Sequence, residues 1–278
     1  MRFLDYDASR RADVADLMER VWGERPAEAE LAWFYESNPV GPASVLLAED
    51  DGRVVATVAM SFLRMSVGGE PLTVGMPLRV ATDAAYRGRG IFRDLQAENE
   101  NRARGLGVRL LLTVPNAASR PVFLERLGWK ALPALRVWAR PGAVRLRARP
   151  LGVERFAERS TGIAARDGVL RDSAWLNWRF AEAPRRYTLL EGDGYAVTGR
   201  RGRLGTVAAV EGPMLRAATA AARQPVLIAV PPPHEHGRYA RAGFVPTPRT
   251  FTLLGKSLDP GLPVPSRPHF ELGDLDFV

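Results

Sequence analysis

A short segment rich in glycine and arginine, Tyr86–Phe92, has the residue types needed to bind an anion such as a pyrophosphate. Gly88 and Gly90 have no Cβ, so the backbone can close around an anion there, and Arg87 and Arg89 add positive charge. The N–H groups at the start of a helix attract anions, which favours such a site where a strand turns into a helix. Only two of the 39 basic residues are lysine, so Arg–Gly pairs also arise by composition alone.

The elements around this segment decide between the two readings. The stretch Leu72–Thr82 is apolar and typical of a strand, and Phe92–Arg104 has helical spacing. A second apolar run, Val108–Val114, predicts another strand, and Ala117–Leu127 predicts another helix that closes at Gly128–Trp129. The order strand, glycine turn, helix, strand, helix is specific enough to make a phosphate-binding turn the preferred interpretation.

This order resembles the acetyl-CoA-binding half of GNAT-type N-acetyltransferases over roughly residues 50–130. The family's loop, Gln/Arg-x-x-Gly-x-Gly/Ala, maps onto Arg87, Gly88, Arg89, Gly90, Ile91 and Phe92. Phe92 departs from the pattern, because the family usually has a small residue at that position. The resemblance implies acetyl-CoA as the acyl donor and a small-molecule or peptide amine as the acceptor.

The resemblance also implies further contacts with acetyl-CoA. The thioester carbonyl is expected to bond a backbone N–H in the strand before the loop, at Val80, Ala81 or Thr82. Asn116 is expected either to bond the pantetheine arm or to cap the following helix, two possibilities that the sequence leaves equal. Asp83 is a candidate general base, although a solvated or capping carboxylate is the alternative.

Parts of the chain repeat. Leu, Trp and Pro recur at identical spacing in Leu31–Pro39 and Leu176–Pro184, and each copy leads into an apolar strand and an acidic glycine turn. The segments Leu124–Pro133 and Tyr239–Pro248 also correspond, with Gly followed by an aromatic residue in both. We therefore expect two copies of one unit, the second of them shortened and without the phosphate loop.

The repeat sets the predicted domain boundaries. We expect a GNAT-like acetyl-CoA-binding domain at residues 1–140 and a degenerate GNAT-like domain with a C-terminal tail at residues 141–278, with Arg140–Pro150 as linker. GNAT enzymes often place a tyrosine proton donor four residues before the Gly-aromatic pair. That position is Leu124 in the first copy and Tyr239 in the second, so Tyr239 is either a proton donor or a core residue.

The composition excludes several other classes of protein and site. The chain has 278 residues, 46% hydrophobic and 25% charged, and no cysteine, which excludes a disulfide framework and a thiol nucleophile. No apolar stretch is long enough to span a membrane and the first residues do not resemble a leader, so we expect a cytoplasmic protein. The pair His234 and His236 stands nearly alone, so no metal site is expected.

The net charge of +8 alone does not indicate a nucleic-acid partner, and we expect none from the sequence. The arginines are scattered, with local concentrations at Arg136–Arg149 and Arg200–Arg203 that are typical of solvated connections. The acidic segment Glu271–Asp276 is either frayed or docked, and its aromatic neighbours favour docking. The sequence leaves the oligomeric state open.

Together these features predict an α/β (α+β) chain of two GNAT-like units, each a mixed sheet flanked by helices. The expected activity is transfer of an acetyl group from acetyl-CoA directly to an amine in a ternary complex. Two alternatives remain: Fem-type aminoacyl transfer, and a non-catalytic GNAT-like module that senses CoA or binds protein.

Overall fold

The computed structural model describes residues 1–142, 152–159 and 166–275. Most of the predicted linker, Arg140–Pro150, and the last residues of the predicted acidic tail lie outside these ranges. The strands within the described part are β1 (Arg2–Asp5), β2 (Ser44–Asp50), β3 (Arg53–Val67), β4 (Glu70–Thr82), β5 (Leu110–Thr113), β6 (Lys130–Pro141), β7 (Gly168–Val169), β8 (Thr188–Gly192), β9 (Gly194–Arg201), β10 (Leu204–Glu211), β11 (Val226–Ala229) and β12 (Val245–Ser257).

The helices alternate with these strands, which confirms the predicted mixed α/β class. They are α1 (Arg11–Trp22), α2 (Glu28–Glu36), α3 (Ile91–Gly105), α4 (Ser173–Leu176), α5 (Leu215–Ala221) and α6 (His236–Arg241), with π-helical segments at Val122–Arg126 and Asn177–Ala181. No helix of the described ranges is both long enough and apolar enough to cross a membrane.

The chain forms two compact units, and the first contains residues 1–132 and 253–266. Its sheet has the order β1-β2-β3-β4-β5-β12. The first four strands are antiparallel neighbours, β5 runs parallel to β4, and Leu254–Ser257 of β12 pairs antiparallel with β5.

Helices cover both faces of this sheet because its central strands are apolar on both sides. In β2, Val45 and Leu47 pack in one core cluster with α1 and α2, whereas Leu46 and Ala48 pack in another with the start of α3. This alternation follows from the two-residue period of a strand. The site-bearing strand β4 is therefore fixed between two helical layers.

The second unit contains residues 133–252 and 267–278, of which the structure describes those up to 275 apart from the gaps given above. Its sheet has the order β12-β6-β11-β10-β9-β8. As in the first unit, three antiparallel strands (β8–β10) are followed by a parallel one (β11), and a further strand (β6) pairs antiparallel with it. This shared order supports the repeat hypothesis, which stays a prediction.

The compact units differ from the predicted domain boundaries. Residues 133–140 belong to the second unit and residues 253–266 to the first, whereas we predicted one boundary at residue 140. The reason is strand pairing: Trp138–Pro141 pairs with β11, and Leu254–Ser257 pairs with β5. Such long-range partners leave no mark in the spacing of a sequence repeat.

The acidic segment after residue 270 is docked in the second unit. Arg171, 6% exposed, makes a bidentate pair with Asp274 and lies 3.3 Å from the carboxylate of Glu271. The amide of Val210 also donates to Glu271. Burial raises the pKa of Glu271 to about 7.

Candidate active site

Strand β4 is interrupted where the resemblance expects the thioester to bind. In the ladder with β3, Ala81 faces Thr57 and Leu78 faces Ala59, so β4 carries one extra residue between these pairs. Arg79 lies in this bulge with φ +51°, a conformation that is uncommon for a residue other than glycine. The bulge redirects the backbone of the following residues.

The other side of β4 also loses its partner. Strands β4 and β5 pair in register at Val74–Leu110 and Gly75–Leu111, in the first half of β4. Pro77 follows and has no N–H to donate, while its carbonyl accepts a bond of 2.9 Å from the Thr113 hydroxyl. The register of the two strands covers only Val74 and Gly75 of β4, and β5 ends at Thr113, so Val80–Thr82 lie beyond the described pairing with β5.

The side chain of Arg79 holds the bulge in place. Its guanidinium lies 2.6 Å from the Glu30 carboxylate on α2 and 4.7 Å from the ring centroid of Phe34, and the side chain is only 6% exposed. These contacts offset the unfavourable backbone conformation. They also fix α2 against the strand that lines the site.

Replacing Arg79 should test this arrangement. Arg79→Ala is expected to lower the free energy of unfolding by about 2–4 kcal/mol, because it leaves Glu30 without this partner and keeps a side chain at positive φ. Arg79→Gly loses the same ion pair but relieves the backbone, so it should be less destabilised by about 1 kcal/mol. Urea unfolding of both variants measures the difference; equal stabilities would show that the bulge is unstrained.

The predicted phosphate turn adopts the conformation that its glycines allow. Gly88 has φ +76° and Gly90 has φ +80°, both in the left-handed region. Gly90 is the N-cap residue of α3, and no side chain caps the first N–H groups of that helix. An uncapped helix start beside two flexible glycines is suited to an anion.

The arginine side chains of the turn are held by hydrogen bonds to nearby backbone carbonyl groups. The Arg87 Nε donates to the Thr82 carbonyl at 3.1 Å, and Arg89 donates to the Ala85 carbonyl at 3.0 Å. The Arg89 guanidinium also lies 4.8 Å from the ring centroid of Tyr86. Both side chains therefore stay beside the turn, where they add to its positive potential.

These features surround one cleft of about 900 Å³. Its lining includes nine of the ten residues that we predicted to bind acetyl-CoA: Val80, Thr82, Arg87, Gly88, Arg89, Gly90, Ile91, Phe92 and Asn116. The tenth, Ala81, is buried on the opposite side of β4 in the cluster with α1 and α2. The side chain of Ala81 is thus remote from the cleft, because neighbouring residues of a strand point to opposite faces.

Two lining residues have structural contacts as well. Asn116 Oδ1 accepts bonds from the amides of Ala118 and Ser119 at 3.0 and 2.9 Å, so it caps the turn that begins the next helix. Phe92 packs edge-on against Phe123, with ring centroids 5.3 Å apart. A bulky residue is therefore tolerated at this loop position, since its ring is directed into the core beneath α3.

A buried polar group supports α3 from within the first unit. Glu100 on α3 is 3% exposed and accepts bonds from the Trp129 indole at 2.8 Å and from Lys256 at 2.5 Å. Lys256 also donates to the Leu127 carbonyl at 2.7 Å. Helix α3, whose start lies at the cleft, is thus tied to the residues after the π-helical segment Val122–Arg126 and to β12.

Asp83 is not placed as a general base. It is 9% exposed, it accepts a bond from the Ala85 amide, and its carboxylate lies 3.2 Å from Arg20 and 2.8 Å from Arg53. Burial acts to raise its pKa, but the amide and the two guanidinium groups outweigh burial and lower the pKa. Asp83 is outside the cleft lining, and its capping role is the alternative that the sequence left open.

Tyr239 is not placed as a proton donor either. It is 2% exposed in the core of the second unit, where it packs on Phe244 with centroids 5.3 Å apart. Burial, followed by the nearby Glu271 carboxylate, raises its pKa well above the ordinary value. The equivalent position of the first copy, Leu124, packs against the core cluster beneath α3 and carries no proton to donate.

Several residues of this region were not identified from the sequence, among them Arg79, Trp22 and Arg126. Arg79 was hidden in an apolar strand, although an arginine there could have signalled a bulge. Trp22, 44% exposed, lines the cleft from α1, which the motif does not include, and Arg126 lines it from the helix predicted at Ala117–Leu127. The described lining contains four arginines (Arg87, Arg89, Arg93 and Arg126) and no carboxylate. Within the described ranges there is also no cluster of three or more metal-ligating side chains.

Comparisons with known proteins agree with this geometry. Residues 5–132 match the family model described as an acetyltransferase (GNAT) domain. None of the curated protein sequences is similar enough to the chain to count as a match. Several solved structures share its fold.

Three of these solved structures illustrate the likeness. A GCN5-related N-acetyltransferase from Kribbella flavida has 16% identity and a TM-score of 0.67, covering 93% of this chain and 72% of that one. One from Anabaena variabilis has 11% identity and a TM-score of 0.61, with coverage of 93% and 73%. Eis1 from Mycobacterium abscessus has 16% identity and a TM-score of 0.58, with coverage of 91% and 73%. The glycine turn and the family match lead to one assignment: residues 5–132 of the chain form a GNAT acetyltransferase domain.

Proposed function

We propose that the cleft binds acetyl-CoA and that the chain transfers the acetyl group directly to an amine acceptor in a ternary complex. The observation that carries this proposal is the combination, in one cleft, of a strand edge at Val80–Thr82 beyond the described pairing with β5 and an uncapped helix start at Gly90. Acetyl-CoA has matching groups, since its thioester carbonyl accepts a hydrogen bond and its pyrophosphate is an anion.

Charge supports the same ligand. Four arginines and no carboxylate among the described lining residues produce a positive potential that favours a highly anionic donor. Guanidinium groups bind phosphate oxygens through two parallel bonds. The volume of about 900 Å³ lies within the range of ordinary cofactor pockets.

The chemistry assigned to the protein is binding and polarisation. Acetyl-CoA supplies a thioester whose carbonyl carbon can be attacked by a neutral amine. A backbone N–H at Val80–Thr82 donates to the carbonyl oxygen, where negative charge grows during attack. Because the described lining offers no carboxylate or imidazole as a base, we route the amine proton to solvent.

The experiment compares acetyl-CoA turnover across a broad panel of amines in the wild type and in Arg87→Glu. Ellman's reagent reads the released thiol without background, because the chain has no cysteine. Arg87→Glu is expected to raise the Kd and KM for acetyl-CoA at least tenfold, with a smaller change in kcat. The matched control is Arg104→Glu, an exposed arginine at the far end of α3, and it should leave both values unchanged.

The same measurements separate the alternatives. Acetyl-CoA binding without transfer to any amine would favour a CoA-sensing module, a function that Leu124 and the paired Asp83 keep open. Absence of acetyl-CoA binding in calorimetry, together with binding of aminoacyl-tRNA, would favour Fem-type transfer.

A further inference from the structure

The sheet of the second unit carries its charges at opposite ends. Strands β11, β10 and β9 are aligned across Val226, Leu204 and Arg201. Thr188, the first residue of β8, faces Thr198 of β9, so the residues before Thr188 lie at the same end of the sheet as Arg201.

Six exposed arginines lie at this end of the sheet, and we call them the arginine row. They are Arg185, Arg186, Arg200, Arg201, Arg203 and Arg223. Arg185 and Arg186 precede β8, Arg200 to Arg203 form the hairpin between β9 and β10, and Arg223 precedes β11. In the sequence these arginines lie in three separate segments, and the sheet brings the segments together.

Acidic residues of these strands lie at the other end. Glu191 lies near the end of β8, Asp193 follows β8, and Glu211 ends β10. Residues 183–190, 194–210 and 212–234 contain no Asp or Glu. Two carboxylates approach the row from neighbouring segments. Glu154 lies beside the start of β8, and Glu182 pairs with Arg155 at 2.8 Å. The segments that carry the row, residues 183–190, 194–210 and 212–234, thus hold its six arginines and no acidic residue of their own.

We propose that the arginine row is a binding surface for the phosphate backbone of single-stranded nucleic acid. Neighbouring strands lie about 4.8 Å apart, so a row across β8 to β11 extends over about 14 Å. A line of guanidinium groups suits a linear array of phosphates better than one isolated phosphate. The described residues of the row bring no exposed aromatic ring for base stacking, which predicts contacts without sequence preference.

This surface is independent of acetyl transfer, and its test does not use activity. Binding of a fluorescein-labelled 20-nucleotide poly(U) RNA is followed by anisotropy between 50 and 300 mM KCl. We expect a Kd of about 1–100 μM near physiological salt, the usual range for non-specific contacts. With about 0.7 released counterion per phosphate contact, six arginines predict a slope of log K against log salt of about −4.

The triple variant Arg200→Glu, Arg201→Glu, Arg203→Glu should weaken RNA binding at least tenfold and reduce the slope to about −2. The control triple, Arg64→Glu, Arg216→Glu, Arg249→Glu, changes the charge equally at exposed positions outside the row and should bind RNA more tightly than the row variant. Thermal unfolding and acetyl-CoA affinity check that each variant is folded.

Three results would overturn the proposal. The first is absence of saturable RNA binding at 50 mM KCl, and the second is equal weakening by both triples, which would show only the effect of net charge. The third is binding of phosphatidylserine vesicles or a poly-glutamate peptide by the row when RNA is not bound. That result would assign the surface to a membrane or an acidic protein.

Discussion

Gly90→Val is expected to lower the affinity for acetyl-CoA about a hundredfold. A β-branched residue is strained at φ +80°, and its Cβ would lie 3.1 Å from the Arg93 guanidinium at the start of α3. The new side chain also covers the uncapped N–H groups that the pyrophosphate is proposed to contact. A loss of about 3 kcal/mol corresponds to this factor. Isothermal titration calorimetry measures it directly.

Gly107 provides a matched control for this substitution. It has φ +79°, nearly the same as Gly90, and a Cβ there would meet no atom within 4 Å. Gly107 is outside the cleft lining, so Gly107→Val should carry the same backbone strain and leave acetyl-CoA affinity unchanged. If folded Gly90→Val binds acetyl-CoA within threefold of the wild type, the turn does not hold the phosphates.

Arg171→Leu is expected to destabilise the protein by about 3–5 kcal/mol, the range for breaking a buried ion pair. The substitution leaves the carboxylates of Asp274 and Glu271 buried without their shared cation. A leucine side chain cannot satisfy either group, and water has little access to them. The destabilisation is measured by guanidinium chloride unfolding followed by far-ultraviolet circular dichroism.

The chain also offers a surface counterpart to this pair. Arg155 lies 2.8 Å from Glu182, and both side chains are largely exposed, so Arg155→Leu should change stability by at most about 1 kcal/mol. Arg171→Lys keeps the charge but loses the bidentate geometry, and an intermediate stability is expected. Equal unfolding midpoints for Arg171→Leu and Arg155→Leu would show that the docked segment after residue 270 contributes little.

The sequence predicted those parts of the site that are local in the chain. Gly88 and Gly90 indicate a turn because glycine can adopt backbone conformations that other residues rarely do. The strand and the helix around them are predicted by the periodicity of apolar residues. The bulge at Arg79 was not predictable, because it depends on contacts with Glu30 and Phe34 of another helix. Local pattern identifies where a turn lies, but distant partners decide how a strand bends.

The same distinction explains the two catalytic candidates that the structure does not support. Asp83 directly precedes the loop, and Tyr239 occupies a family position in the second copy, so the sequence made both of them candidates without excluding a capping or core role. Whether a carboxylate is a base depends on its neighbours, and here Arg20 and Arg53 are 63 and 30 residues away in the sequence. Tyr239 is removed from solvent by packing on residues such as Phe244.

The pairing of β5 with Leu254–Ser257 has a consequence for truncated chains. A protein that stopped near residue 140 would contain the whole phosphate turn and both strands of the cleft, yet its sheet would end at β5. The apolar residues Leu110–Leu112 would then form an unprotected edge, a template for pairing with other chains. Such a fragment should aggregate. A deletion experiment would then show lost activity and suggest that the C-terminal segment takes part in the reaction, although the loss would come from insolubility.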